Sequence, residues 1–129
     1  MSKKSRGTNA ERDLIHKFWG IGWAAMRAAG SGSSQFPSPD VICGNNLRKI
    51  AMEVKLTTES RKYFSFSEIR DLKYFCEKFG AEPWVGIKFF RKEWVFLMID
   101  DLESSGKNFV VSQELASIRG LTFEELTRL

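Results

Sequence analysis

Residues 39–56 read PDVICGNNLRKIAMEVKL, and this stretch predicts a β-hairpin. Residues 40–43 predict a short strand, and residues 44–46, a glycine and two asparagines, favour a tight turn. A longer strand is expected over residues 47–56. The two strands should therefore lie side by side and run in opposite directions.

The second strand of this hairpin carries charged residues in alternation with apolar ones. Because side chains alternate across a strand, Glu53 and Lys55 should share one face with the small Ala51. The hairpin should bring Asp40 back to the level of Glu53. Two carboxylates and one amine then meet, which is costly because like charges repel and buried charges lose hydration.

A divalent cation would remove this repulsion, so Asp40 and Glu53 are predicted metal ligands. Oxygen ligands without His or Cys favour Mg²⁺, with Mn²⁺ as a substitute. Such a site suits phosphodiester hydrolysis, in which the metal activates water and Lys55 stabilises the developing charge. The alternative is an ordinary Glu-Lys pair on a solvent-facing strand.

The N-terminal region is expected to be a flexible basic arm over residues 1–7, followed by a helix. Residues 8–11 read TNAE, a capping box that predicts the helix start. Glu11 should lie at the edge of the helix's inward face, where it could be a third metal ligand. Its alternative role is only that of a capping residue.

Basic residues exceed acidic ones, 20 to 16, which gives a formal net charge of +4 and favours an anionic partner such as DNA. Ordinary solubilising charge is the alternative. With Glu11 at the predicted site, Arg12 and Arg27 could hold phosphates, and ordinary surface charge is their alternative role. The candidate DNA-binding residues are Lys4, Arg6, Arg12, Arg27, Arg61 and Lys62.

The rest of the chain predicts one α/β domain over residues 1–129, with a mixed central sheet flanked by helices. Residues 30–39 are rich in Gly, Ser and Pro and predict a mobile loop of functional importance. Further elements are expected as strands at 23–28, 84–90, 94–99 and 109–111, and as helices at 66–79 and from 123.

Several classes of protein are excluded by composition. The chain has one His and two Cys without metal-ligand spacing, so a zinc site is not expected. Reduced thiols in a cytoplasmic, DNA-associated protein are expected instead. No membrane-spanning run, signal peptide or small-molecule organic cofactor is predicted.

The ordered motifs of the chain resemble the archaeal Holliday junction resolvases over roughly the first hundred residues. The segments that carry the resemblance are 7–14 (GTNAERDL), 27–31 (RAAGS), 39–44 (PDVICG), 53–55 (EVK) and 75–80 (FCEKFG). Each motif is weak alone, but their order is specific. The residues after Asp100 add little to it, and the loop at 36–39 resembles an insertion.

This resemblance implies the restriction-endonuclease-like fold of the PD-(D/E)xK nucleases. It implies a homodimer that cuts four-way DNA junctions by paired nicks in opposed strands, leaving 5′-phosphates, in recombination and repair. Glu11, Asp40 and Glu53 match the family's metal ligands and Lys55 its transition-state lysine. Ser31 matches an active-site serine, and Arg12 and Arg27 match basic residues needed for activity.

A dimer is also suggested by the number of aromatic residues, such as Phe75 and Phe79, since a small domain cannot easily bury them all. The alternative is that they fill the core. Two other functions remain open at this stage. One is a restriction-like or repair nuclease acting on duplex or other branched DNA, and the other is a DNA-binding module without catalysis.

Overall fold

A computed structural model describes residues 3–28 and 35–129, with side chains from Arg6 onward. Its centre is a five-stranded sheet in the order β1-β2-β3-β5-β6, in which β3 and β5 are parallel and the other pairs antiparallel. The prediction of an α/β fold with a mixed central sheet is therefore confirmed. In chain order the elements are α1 (Lys3–Gly20), β1 (Ala24–Arg27), β2 (Val41–Gly44), β3 (Lys49–Thr57), β4 (Arg61–Ser65), α2 (Phe66–Phe79), β5 (Glu82–Phe89), β6 (Val95–Met98), a 3-10 turn (Ile99–Asp101), β7 (Glu103–Ser104), β8 (Asn108–Ser112), α3 (Gln113–Arg119) and α4 (Phe123–Thr127).

The predicted hairpin is confirmed as β2 and β3, joined by a turn in which the Asn45 side chain accepts hydrogen bonds from two backbone N–H groups. Val41 lies opposite Met52. One residue before β2, the same register places Asp40 opposite Glu53. The hairpin register therefore sets the geometry of the site.

Each face of the central sheet packs against different helices. On one face, Ile50 and Met52 pack with Leu14 and Phe18 of α1 and with α4. On the other face, Ala51 lies in a cluster with residues of α2 and α3. The alternation predicted for β3 is thus confirmed, and Glu53 and Lys55 belong to the face that α2 covers.

The start of the first helix was predicted wrongly. Helix α1 begins at Lys3, so residues 3–7, expected to belong to a flexible arm, are helical. Lys and Arg are good helix formers, and an established helix gains one hydrogen bond for each added residue. Gly7 costs about 1 kcal/mol and does not stop it. Glu11 consequently lies inside the helix and is not a capping residue.

The sequence also failed to predict a second sheet, with the order β4-β8-β7. Strand β4 pairs with β8, where Arg61 lies opposite Ser112, far along the chain. Helix α3 was missed as well, because a helix of seven residues has too few turns to show a clear apolar period. Its stability comes from Ser112, which caps it, and from the burial of Leu115 and Ala116.

Two predicted capping boxes are confirmed, at Ser65 for α2 and at Thr122 for α4, and Gly80 ends α2 with a φ of 79°. Cys43 and Cys76 are free and buried. Residues 35–39 of the predicted loop have no helix or strand, and residues 29–34 lie outside the described part. Among the described residues, no helix is long and apolar enough to cross a membrane.

Candidate active site

Asp40 is held by the backbone of both neighbouring strands. Its carboxylate oxygen Oδ2 accepts a hydrogen bond of 3.0 Å from Val54 N–H on β3. Its carbonyl accepts one of 2.9 Å from Ala28 N–H, just after β1. Since the main chain fixes it from two sides, Asp40 is positioned by the sheet itself.

Glu53 faces Asp40 across the hairpin and is half-buried. Burial raises the pKa of its carboxyl to about 9, and the negative charge of Asp40 and a hydrogen bond with it act in the same direction. The nearby Lys55 lowers the pKa but does not compensate. The positive charge near the two carboxyl groups is therefore too small to balance their negative charge, as the sequence predicted.

Glu11 lies on α1, near Asp40 and Arg27. Burial raises its pKa, a hydrogen bond from Arg27 lowers it, and the charge of Asp40 raises it again. The Arg27 Nε atom lies 3.2 Å from Glu11 Oε1. Glu11 is thus within electrostatic reach of Asp40, while one of its oxygens is paired with Arg27.

A metal ion would find oxygen donors here, and the chemistry of these donors fits Mg²⁺. Within residues 6–28 and 35–129, however, no three Asp, Glu, Cys or His side chains form a ready metal-binding group. The pair Asp40 and Glu53 is formed, and Glu11 would have to turn from Arg27 to join it. The ligand set of Glu11, Asp40 and Glu53 remains a prediction.

Lys55 has a partner that the sequence did not reveal. Its Nζ donates a hydrogen bond of 2.7 Å to Glu68 Oε2 and lies 5.8 Å from the centre of the Phe64 ring. Burial opposes ionisation of Glu68, but hydrogen bonds from Lys55 and Ser65 prevail and lower its pKa. The capping box marked Glu68 only as a helix cap, because its contact with β3 depends on how α2 packs.

The predicted DNA-binding residues lie in several places. Arg27 is half-buried beside Glu11, Lys62 is half-buried on β4, and Arg6, Arg12 and Arg61 are exposed. The Lys4 side chain and Ser31 lie outside the described residues. The structure thus leaves the roles of all six basic residues and of Ser31 as predictions.

Comparison with known proteins gives consistent matches along the chain. The family model described as "Archaeal holliday junction resolvase (hjc)" matches residues 2–129, so the match includes the tail. A crossover junction endodeoxyribonuclease Hjc from Archaeoglobus fulgidus is 42% identical and covers 95% of both chains. One from Methanocaldococcus jannaschii is 30% identical, with 90% of this chain and 83% of that one covered.

A solved structure of the Archaeoglobus fulgidus Hjc, described as a Holliday junction resolvase, superimposes with a TM-score of 0.87 at 40% identity. It covers 93% of this chain and 98% of that one. The sheet, its helices and the acidic pair with a lysine two residues along the strand define a nuclease of the PD-(D/E)xK fold. Within that class, the chain belongs to the archaeal Holliday junction resolvase family.

Proposed function

We propose that this protein is a homodimeric, Mg²⁺-dependent endonuclease that cuts four-way DNA junctions by paired nicks in opposed strands. The observation that carries the proposal is the half-buried pair of Asp40 and Glu53, with Lys55 two residues further along β3. The relatives are named crossover junction endodeoxyribonucleases, and these names supply the substrate class.

Asp40, Glu53 and Glu11 would hold the metal through carboxylate oxygens. Bound Mg²⁺ supplies Lewis-acid chemistry and lowers the pKa of water. Asp40 keeps its position through Val54 N–H, so the pair does not need to reorganise. Lys55 brings an ammonium group next to the pair, where it can stabilise negative charge that builds on the phosphate.

Contacts with the DNA backbone would come from the basic side chains. Arg27 lies beside Glu11 and could bind a phosphate once Glu11 turns to the metal. Arg6 and Arg12 are exposed on α1, and Arg61 and Lys62 lie on β4. Lys4 and Ser31 are proposed from the sequence alone, Lys4 for phosphate binding and Ser31 at the active site.

The homodimer is supported by exposed apolar side chains that border one groove. Trp19, Met26, Leu47 and Phe79 line this groove and are 59%, 61%, 90% and 46% exposed. Phe79 stacks on Phe75 with ring centres 5.2 Å apart. Exposed apolar side chains grouped around one groove often mark a protein interface. A two-fold dimer would also place two active sites symmetrically on a two-fold substrate.

The test is cleavage of a labelled four-way junction, a flap and a linear duplex, each with and without Mg²⁺. We expect nicks in opposed strands of the junction only when Mg²⁺ is present, with 5′-phosphate ends. Asp40→Asn should slow cleavage roughly a thousandfold, because a metal ligand loses its charge. Its amide oxygen can still accept from Val54 N–H, which keeps the fold.

Binding of the junction by Asp40→Asn in Ca²⁺ should persist, which separates catalysis from DNA binding. Equal cleavage of duplex and junction would instead support the restriction-like alternative. Normal cleavage by Asp40→Asn would contradict the site. Analytical ultracentrifugation of the free protein tests the dimer, and a monomer at micromolar concentration would contradict it.

A further inference from the structure

The amine of Lys55 contacts side chains from β4 and from the first turn of α2. The ring of Phe64 lies beside the amine, and Glu68 Oε2 accepts its hydrogen bond at 2.7 Å. The other oxygen, Glu68 Oε1, accepts from Ser65 N–H at 3.0 Å, while Glu68 N–H donates to Ser65 Oγ at 3.0 Å. Two hydrogen bonds with Ser65 thus fix both the side chain and the backbone of Glu68, independently of Lys55.

We propose that Glu68 is a positioning residue for the reaction, because it uses the capping box of α2 to hold the Lys55 amine beside the Asp40 and Glu53 carboxylates. The inference rests on the proposed nuclease activity. It assigns a second role to a residue whose local role is to cap a helix.

The need for such a residue follows from the properties of lysine. A lysine side chain has many rotamers and loses much conformational entropy when it is ordered. Without a fixed partner, the amine would sample many positions around the Asp40 and Glu53 carboxylates. A charge-assisted hydrogen bond to a carboxylate fixed by its own cap holds the amine in one position beside that pair.

A second observation places Glu68 close to the acidic pair. Its negative charge acts on Glu53 in the same direction as that of Asp40. Removal of the Glu68 charge takes a negative charge away from a nearby cation, so the variant has to be compared at saturating Mg²⁺. A loss of rate that persists there does not come from weaker cation binding.

The decisive variant is Glu68→Gln, with Glu125→Gln as its matched control. Gln also occurs at this capping-box position, so the helix cap is kept. Glu125 holds the equivalent position in α4, where it accepts from Thr122 N–H at 2.9 Å. No ion pair to Glu125 occurs in the described part of the chain.

We expect single-turnover cleavage of the junction by Glu68→Gln to be about tenfold or more slower than by Glu125→Gln, since a displaced catalytic group costs at least this much. Junction affinity in Ca²⁺ and the melting temperature should match the control. Both rates are measured at saturating Mg²⁺, where a modest change in cation affinity has no effect. In a Lys55→Gln background, Glu68→Gln should cause no further loss.

A rate within twofold of the control, or above it, would overturn the inference. So would full recovery of the rate at a higher Mg²⁺ concentration, which would assign Glu68 to cation binding instead, or a full further loss in the Lys55→Gln background. These outcomes are distinct from failure of the proposed function, in which the wild-type protein itself would not cut the junction.

Discussion

The β2–β3 hairpin has charged groups at both ends, and the two ends are built differently. At the turn end, Arg48 donates two hydrogen bonds of 2.9 Å to Glu82 and one of 2.6 Å to the Leu126 carbonyl. Glu82 also accepts from the Trp84 indole at 3.1 Å. We call Arg48 and Glu82 the turn-end pair, and Asp40, Glu53 and Glu11 the open-end cluster.

The pKa values show the difference. Hydrogen bonding with Arg48 lowers the pKa of Glu82, and the same contact raises that of Arg48, so each partner favours the other's charged form. Burial and the charge of Asp40 instead raise the pKa of Glu53 to about 9. Balanced charge of this kind stabilises a fold, whereas unbalanced charge marks a site that binds something further.

The largest loss of stability from a single substitution is expected at the turn-end pair. Arg48→Ala removes three hydrogen bonds and leaves a carboxylate without its partner, which should cost about 2–3 kcal/mol of unfolding free energy. Urea unfolding in Mg²⁺-free buffer measures this loss. Single-turnover cleavage per folded molecule should stay at the wild-type value. A slow but fully stable variant would contradict the structural role.

Addition of Mg²⁺ should distinguish the two ends. The free energy of unfolding should rise by about 2.7 kcal/mol when Mg²⁺ reaches a hundred times its Kd, because only the folded chain presents the site. Arg48→Ala should show the same rise. Asp40→Asn should show little or none, since it lacks one charge of the open-end cluster. An equal rise in Asp40→Asn would place the ion elsewhere.

The pH dependence of stability should sharpen the contrast in metal-free buffer. An unfolded Glu has a pKa near 4.5, whereas folded Glu53 keeps its proton up to about pH 9. Between these values the folded state binds the extra proton. The stabilising effect of this proton is complete below pH 4.5 and is lost as the pH rises through 9. The free energy of unfolding then falls by at most about 1.4 kcal/mol per pH unit.

The check is Glu53→Gln, which cannot titrate. In EDTA, the wild-type protein should lose stability relative to this variant between pH 6 and pH 9, as measured by urea midpoints. Glu82→Gln provides the comparison at the turn-end pair, where the pKa of Glu82 is lowered and this loss should be absent. Parallel stability curves for wild type and Glu53→Gln would contradict the raised pKa.

The parts of the site that the sequence could predict are those set by short-range rules. Asp40 and Glu53 meet because a tight turn fixes the register of neighbouring strands. The alternation of side chains along a strand, with its period of two residues, also correctly placed Glu53 and Lys55 on one face. Strand β4, by contrast, depends on pairing with the distant β8, and residues 3–7 gained helix from a nucleus further along α1. These long-range and cooperative effects leave no local signal.

By itself, the sequence determined the hairpin, the helix caps at Ser65 and Thr122, and the two carboxylates that face each other, since each depends on residues close together in the chain. Tertiary structure alone decided that Arg27 pairs with Glu11 and that Glu68 reaches Lys55. Those contacts join separate elements, and their geometry follows from how apolar faces pack against the sheet. No local pattern encodes the angle and distance of that packing.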